Sequence, residues 1–245
     1  MKIKILLFVT LLLSFSCICF AQTVKITPKK IIYKRTARDV PDYKRTFAMT
    51  YPKVSGLSAA LNKKIENALS YERVFGFKLK EEITEVTWLE NADFETEYNR
   101  NGILGIALLL DGSAAYPSLY IKHVVVDTKT GLQVKAADVF ISGKTNQLVK
   151  LLDNELQKTM KQAIAEAGKQ NAEDGKELTE ILGERKFVAE ELTHFSVSNR
   201  GVTFYYDYGF PHVARALEPN SEFFLPFAKL REFIKRDGSL GRFVR

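Results

Sequence analysis

The chain has 245 residues, a net charge of +7 and 46% hydrophobic content, which is ordinary for a folded globular protein of one large domain or two small ones. Its basic residues are scattered, which argues against a nucleic-acid-binding face. Its two cysteines, Cys17 and Cys19, both lie near the N-terminus, so a disulfide framework is excluded for the rest of the chain.

Lys2 and Lys4 precede an apolar run, Ile5 to Leu13, and Cys19-Phe20-Ala21 places small residues where a signal peptidase reads. This predicts a signal peptide, residues 1–21, cleaved after Ala21. The protein is then exported, to the periplasm or beyond the cell. An uncleaved anchor would need about 20 apolar residues, and polar Gln22, Thr23 and Lys25 follow at once. A lipoprotein reading meets bulky Phe15 where a small residue belongs. Cleavage removes both cysteines and lowers the net charge to +5. No later run is apolar enough to span a membrane.

Residues 22–46 read as an extended N-terminal arm or an edge strand, with Val24-Lys25-Ile26 and Ile31-Ile32-Tyr33 as its apolar pieces. Phe47 to Tyr51 is a strand candidate that Pro52 should stop. Ser55-Gly56 opens a helix with Leu57, Leu61, Ile65 and Leu69 on one stripe, continuing irregularly towards Ile83. Thr87-Trp88 and Phe94 to Tyr98 lead to Asn101-Gly102, a hairpin signal. Ile103 to Leu110 should be a buried strand, with a turn at Asp111-Gly112-Ser113. Tyr120 to Val126 is the next strand, and Leu132 to Val134 pairs back on it.

Leu148, Leu152, Leu156, Met160 and Ile164 predict the longest helix. Polar Gly168 to Gly175 reads as a loop or helix break, and Leu178 to Leu182 as a short helix ended by Gly183. A second hairpin joins Phe195-Ser196-Val197 to Val202, Phe204 and Tyr206. Phe223 to Pro226 is a last strand, and Phe227 to Ile234 a terminal helix. The pattern predicts an α+β fold: an antiparallel β-sheet meander with helices packed on one face.

Two stretches resemble a known family. One runs from Ala115-Tyr116-Pro117 through Tyr120 to Asp127, Thr130-Gly131 and Ala137 to Phe140. The other runs from Gly201 to Asp207 through Gly209-Phe210-Pro211-His212 to Phe224-Leu225-Pro226-Phe227 and Leu230. Together they resemble the extracellular C-terminal domain of the RsiV anti-sigma factor, domain of unknown function 3298. The region that precedes it resembles the deacetylase-associated region of the PdaC type. The resemblance places an RsiV-type α+β domain at residues 47–245, with subdomains 47–140 and 141–245 as one option. It implies a binding domain without a catalytic centre, and peptidoglycan fragments or lysozyme-like wall-acting proteins as partners. The chain departs from the family at Tyr116, where histidine is common, and over the longer, more charged stretch 213–220.

The residues themselves show no nucleophile elbow, phosphate loop or paired-histidine zinc helix. No catalytic residue, metal ligand or cofactor is assigned. His123, His194 and His212 are far apart in sequence. Each is expected to make a single hydrogen bond, although metal sites can assemble from distant residues. Glu190-Glu191 reads as a solvated helix end, and Asp93, Glu95 and Glu97 as one solvent-facing strand face. The candidate binding residues are Tyr205, Tyr208, Phe210, His212 and Arg215, where aromatics with one Arg and one His leave a strand end. Alternation alone already accounts for Phe204 and Tyr206 as core. The expected function is a secreted, non-enzymatic cell-envelope binding domain. The alternative is a wall-glycan or peptide hydrolase, related to the deacetylases, with a site gathered from distant His and carboxylates.

Overall fold

A computed structural model describes residues 23–210 and 212–245. The proposed leader and its cleavage point lie outside them. The fold is α+β, built on two sheets. The first has six strands in chain order: β1 Lys25–Lys34, β2 Thr46–Ser55, β3 Leu89–Arg100, β4 Ile103–Ser113, β5 Pro117–Asp127 and β6 Leu132–Gln133. The second has three: β7 Phe195–Val197, β8 Gly201–Tyr205 and β9 Glu222–Pro226. Every pairing is antiparallel except β2 with β3, a short parallel contact at Ala48 and Met49.

Residues 25–34 are thus an edge strand, paired with β2 along its whole length. Pro52 does not stop β2. It lies opposite Pro28, a pairing that works at a position where neither N–H enters the ladder. Arg35, at the end of β1, is buried. Its guanidinium donates to the carbonyls of Glu82 (3.1 Å), Val86 (3.3 Å), Lys44 (2.6 Å) and Leu89, and pairs with the Glu82 carboxylate at 3.3 Å. The neighbouring Lys29, Lys30 and Lys34 are exposed bases, and this one is not. Five donors on one planar group explain how a single charge can be satisfied here.

Three helices follow β2: α1 Ala59–Ala68, α2 Tyr71–Phe75 and α3 Leu79–Thr84. The cap is Ser58, whose hydroxyl accepts from Leu61 N at 3.3 Å, so α1 starts after the expected Ser55-Gly56. Left-handed Gly76 (φ 73°) divides the expected continuation. The Asn101-Gly102 hairpin forms as expected, with positive φ at both residues (52° and 68°).

The turn expected at Asp111-Gly112-Ser113 is instead strand; these residues pair with Leu119, Ser118 and Pro117. Gly112 serves close approach rather than turning, since a Cβ there would fall 2.8 Å from the Trp88 ring. The long helix α5 is Thr145–Gln170, after a short helix α4, Ala136–Val139. Only Asn171 interrupts the polar stretch before α6, Ala172–Leu182; its side chain caps α6 by accepting from Glu173 N. Gly168 and Gly175 let α5 and α6 meet, a Cβ on Gly175 falling 2.8 Å from Gly168 Cα. The terminal helix shortens to α7, Phe227–Leu230, because Ile234 bridges back to Phe140.

Two apolar clusters hold the fold. Val124 and Val126 of β5 join Leu104, Ile106 and Ile65 of α1. Val125 joins Leu152 of α5, Phe204 and Phe223 on the other side. One strand therefore feeds both clusters, by its period of two. The expected single sheet becomes two because the face of β5 carrying Val125 is also apolar and needs its own cover.

Candidate functional site

The two sheets leave a cleft of about 570 Å³ between the outer half of β5 and the segment that follows β8. Leu119 to His123 line one side; Tyr205, Asp207, Phe210, Arg215 and Glu218 line the other. Its volume lies in the roughly 300–1,000 Å³ range of ligand sites.

His123 lines the cleft beside Tyr205. Its Nδ1 lies 2.9 Å from Glu97 Oε1, and its ring stacks on Tyr205 with centroids 3.7 Å apart and planes 5° from parallel. A carboxylate only accepts, so Nδ1 carries the proton of this bond. Glu97 reaches His123 beside an irregularity of register between Thr96 and Tyr98. Such an irregularity re-aims side chains, which the assignment of Glu97 to a plain solvent face did not include. Tyr205 shares a hydrogen bond of 2.9 Å with Ser196 Oγ. Burial pushes its phenol up to about 12 against the opposing Ser196 bond, with the Glu97 and Glu222 charges adding to the rise. Tyr205 therefore stays protonated near neutrality and can donate.

On the other wall, burial and the like charge of Asp207 raise the Glu218 carboxyl above its ordinary range, partly offset by Arg215. His194 also lines the cleft, its Nδ1 3.5 Å from Glu191 Oε2. That oxygen is buried without a hydrogen bond, so Glu191 is not the solvated helix end the sequence suggested. It sits in a 3-10 turn, Ala189–Thr193, beside β7.

Of the five candidate residues, Tyr205 and Arg215 face the cleft. Phe210 reaches it while packing in the core. Tyr208 does not line it. Its ring is fully buried against Tyr206 and Phe210, and its hydroxyl donates to Asn220 O at 3.1 Å. His212 begins the 3-10 segment His212–Leu217, and its side chain lies outside the described set. The opposite wall, Leu119, Ile121 and His123, with Glu97 bonded to His123, is not among the candidate binding residues, although His123 with a carboxylate belongs to the alternative reading. The available signal was that 119–122 lack clean alternation of apolar and polar residues, unlike a half-buried strand. Among the described residues no group of His, Cys, Asp or Glu could hold a metal ion. No helix among them is long and apolar enough to cross a membrane.

No protein-family model matches the chain, and no curated protein does. Solved structures do. A DUF3298 family member from Bacteroides fragilis is similar with a TM-score of 0.56 and 13% identity, over 91% of this chain and 98% of that one. A DUF3298 family protein from Pseudomonas aeruginosa is similar with a TM-score of 0.50 and 10% identity, over 86% and 94%. The chain thus shares its fold with DUF3298 proteins over most of its length.

Proposed function

We propose that the protein is an exported, non-enzymatic binding domain of the cell envelope, and that the cleft between β5 and the segment after β8 is its binding surface. The carrying observation is the meeting of exposed Leu119 and Ile121 with Tyr205 and Arg215 across one cavity. Apolar walls with a few polar groups are the usual make-up of a ligand site, and aromatics with Arg are the usual anchors of an interface. The sequence resemblance to the RsiV-type domain, with its PdaC-type preceding region, supports a ligand that is a wall fragment or a wall-acting protein such as lysozyme. The purified protein should be retained on immobilised lysozyme or on peptidoglycan sacculi at low salt. Arg215→Ala should weaken that retention about tenfold, the scale of one interface anchor. Loss of retention on both, with the protein folded, would end the reading.

One observation favours the hydrolytic alternative. His123 and Glu97 are within hydrogen-bond reach in a cleft, as an acid-base pair requires. The Tyr205 stack covers one face of the imidazole, and Tyr205 itself is held in its protonated form. Release of soluble wall fragments by the native protein, abolished by Glu97→Gln, would establish the alternative.

A further inference from the structure

Beside the cleft, β5 also has an unpaired main-chain edge. β6 pairs with β5 only at Val126 and Asp127, so β5 is the edge of the sheet over residues 119–123. The direction of its backbone groups follows from two bonds. Thr128 N donates to Gly102 O at 2.9 Å, towards the β4 side, whereas Val125 O accepts from Val134 N at 2.8 Å, on the other side. In an antiparallel strand these directions alternate. Leu119, Ile121 and His123 therefore turn N–H and C=O away from β4, along the open edge of the sheet. Among the described residues none of these six groups takes part in a main-chain bond outside the ladder with β4.

Proteins normally blunt such an edge with charges, bulges or a covering segment. Here Leu119, Tyr120 and Ile121 stand 50%, 47% and 46% exposed, and Lys122 is the one charge among them. We infer that an extended peptide segment of a partner protein, carrying a basic side chain, adds to β5 at residues 119–123 as a further strand. This rests on the reading of the cleft as a binding surface and names its ligand class. Main-chain bonds give such a complex its affinity and the side-chain pockets its specificity. Five residues at about 3.3 Å each give the added strand a run of about 16 Å. The basic side chain follows from charge complementarity. Asp207, Glu218 and Glu222 line the cleft against Lys122 and Arg215, and Asp207 and Glu218 are close enough to repel. A second copy would have to bring an entire sheet edge, with its own covering segment, into the same space.

The test uses the whole mature protein, ¹⁵N-labelled, and a capped peptide probe, Thr-Lys-Val-Lys-Val-Thr. Its control is the same peptide with the four central amides N-methylated. Binding of the probe should slow exchange of the Leu119, Ile121 and His123 amides at least tenfold. The methylated peptide should bind at least tenfold more weakly, and Asp207→Asn with Glu218→Gln should weaken the probe at least threefold. Equal binding of both peptides would overturn strand addition while leaving the cleft a side-chain site. No binding of the probe by protein still retained on lysozyme or peptidoglycan would overturn it too, and spare the proposed function. Probe binding with edge protection but no retention on either would uphold strand addition and sink the wall-ligand reading. Concentration-dependent protection of the same amides without peptide would make the occupant a second copy, and overturn the inference.

Discussion

The two halves of β5 share a partner strand and a register but not an environment. Residues 124–127 are buried, Val124 and Val126 against α1 and β4, Val125 against the second sheet. Residues 119–122 pair with β4 just as fully, yet are exposed on both faces. Strand pairing is thus satisfied in both halves, and cover is present in only one. Where cover ends, a protein keeps apolar residues at the surface for recognition or risks aggregation. The cleft with its charged far wall favours recognition.

The largest expected break in this comparison is Val126→Asp. It would strand a carboxylate among Leu104, Ile106 and Ile65, at a cost on the order of 3–5 kcal/mol, the scale of an unpaired buried charge. A large fall in the urea midpoint should show it. His123→Ala sits at the junction of the halves. It removes the Tyr205 stack and the Glu97 bond, and should cost about 1–2 kcal/mol in the same assay.

A pH titration sharpens the contrast further. Burial raises the phenols of Tyr51, Tyr71 and Tyr208, and takes Tyr205 up to about 12. A raised phenol is favoured neutral in the fold. Its stabilisation is therefore complete below the ordinary value near 10 and is lost as pH rises through the folded value. Stability should fall above about pH 10, and the share of tyrosinate absorbance that belongs to these four buried phenols should rise together with unfolding rather than ahead of it. The smallest effect belongs to the open half: Ile121→Asn should change stability by no more than about 0.5 kcal/mol, while weakening the peptide probe.

Much of this was legible in the sequence. The α5 stripe from Leu148 to Met160, the Asn101-Gly102 hairpin and the Phe195/Phe204 hairpin follow from local periodicity and turn chemistry. What was not legible depends on distant contacts. Gly112 looks like a turn residue until Trp88 is placed against it. Arg35 looks like a surface base until five acceptors on Lys44, Glu82, Val86 and Leu89 surround it. In the cleft, one wall was visible as a cluster of aromatics after β8. The other was not, because residues 119–123 become an edge only through the shortness of β6. Tyr208 shows the converse: its sequence neighbourhood suits a surface, but Tyr206 and Phe210 enclose its ring.

Amide hydrogen exchange along β5 in the peptide-free protein tests the open edge most directly. The amides of Tyr120 and Lys122 point to β4 and should be protected. Those of Leu119, Ile121 and His123 point away from β4 and should exchange at rates near those of exposed loops. An odd-even alternation over 119–123 that disappears over the covered residues 124–127 is the expected result. Uniform protection across 119–123 in dilute monomer would contradict it, because the edge would then already be occupied.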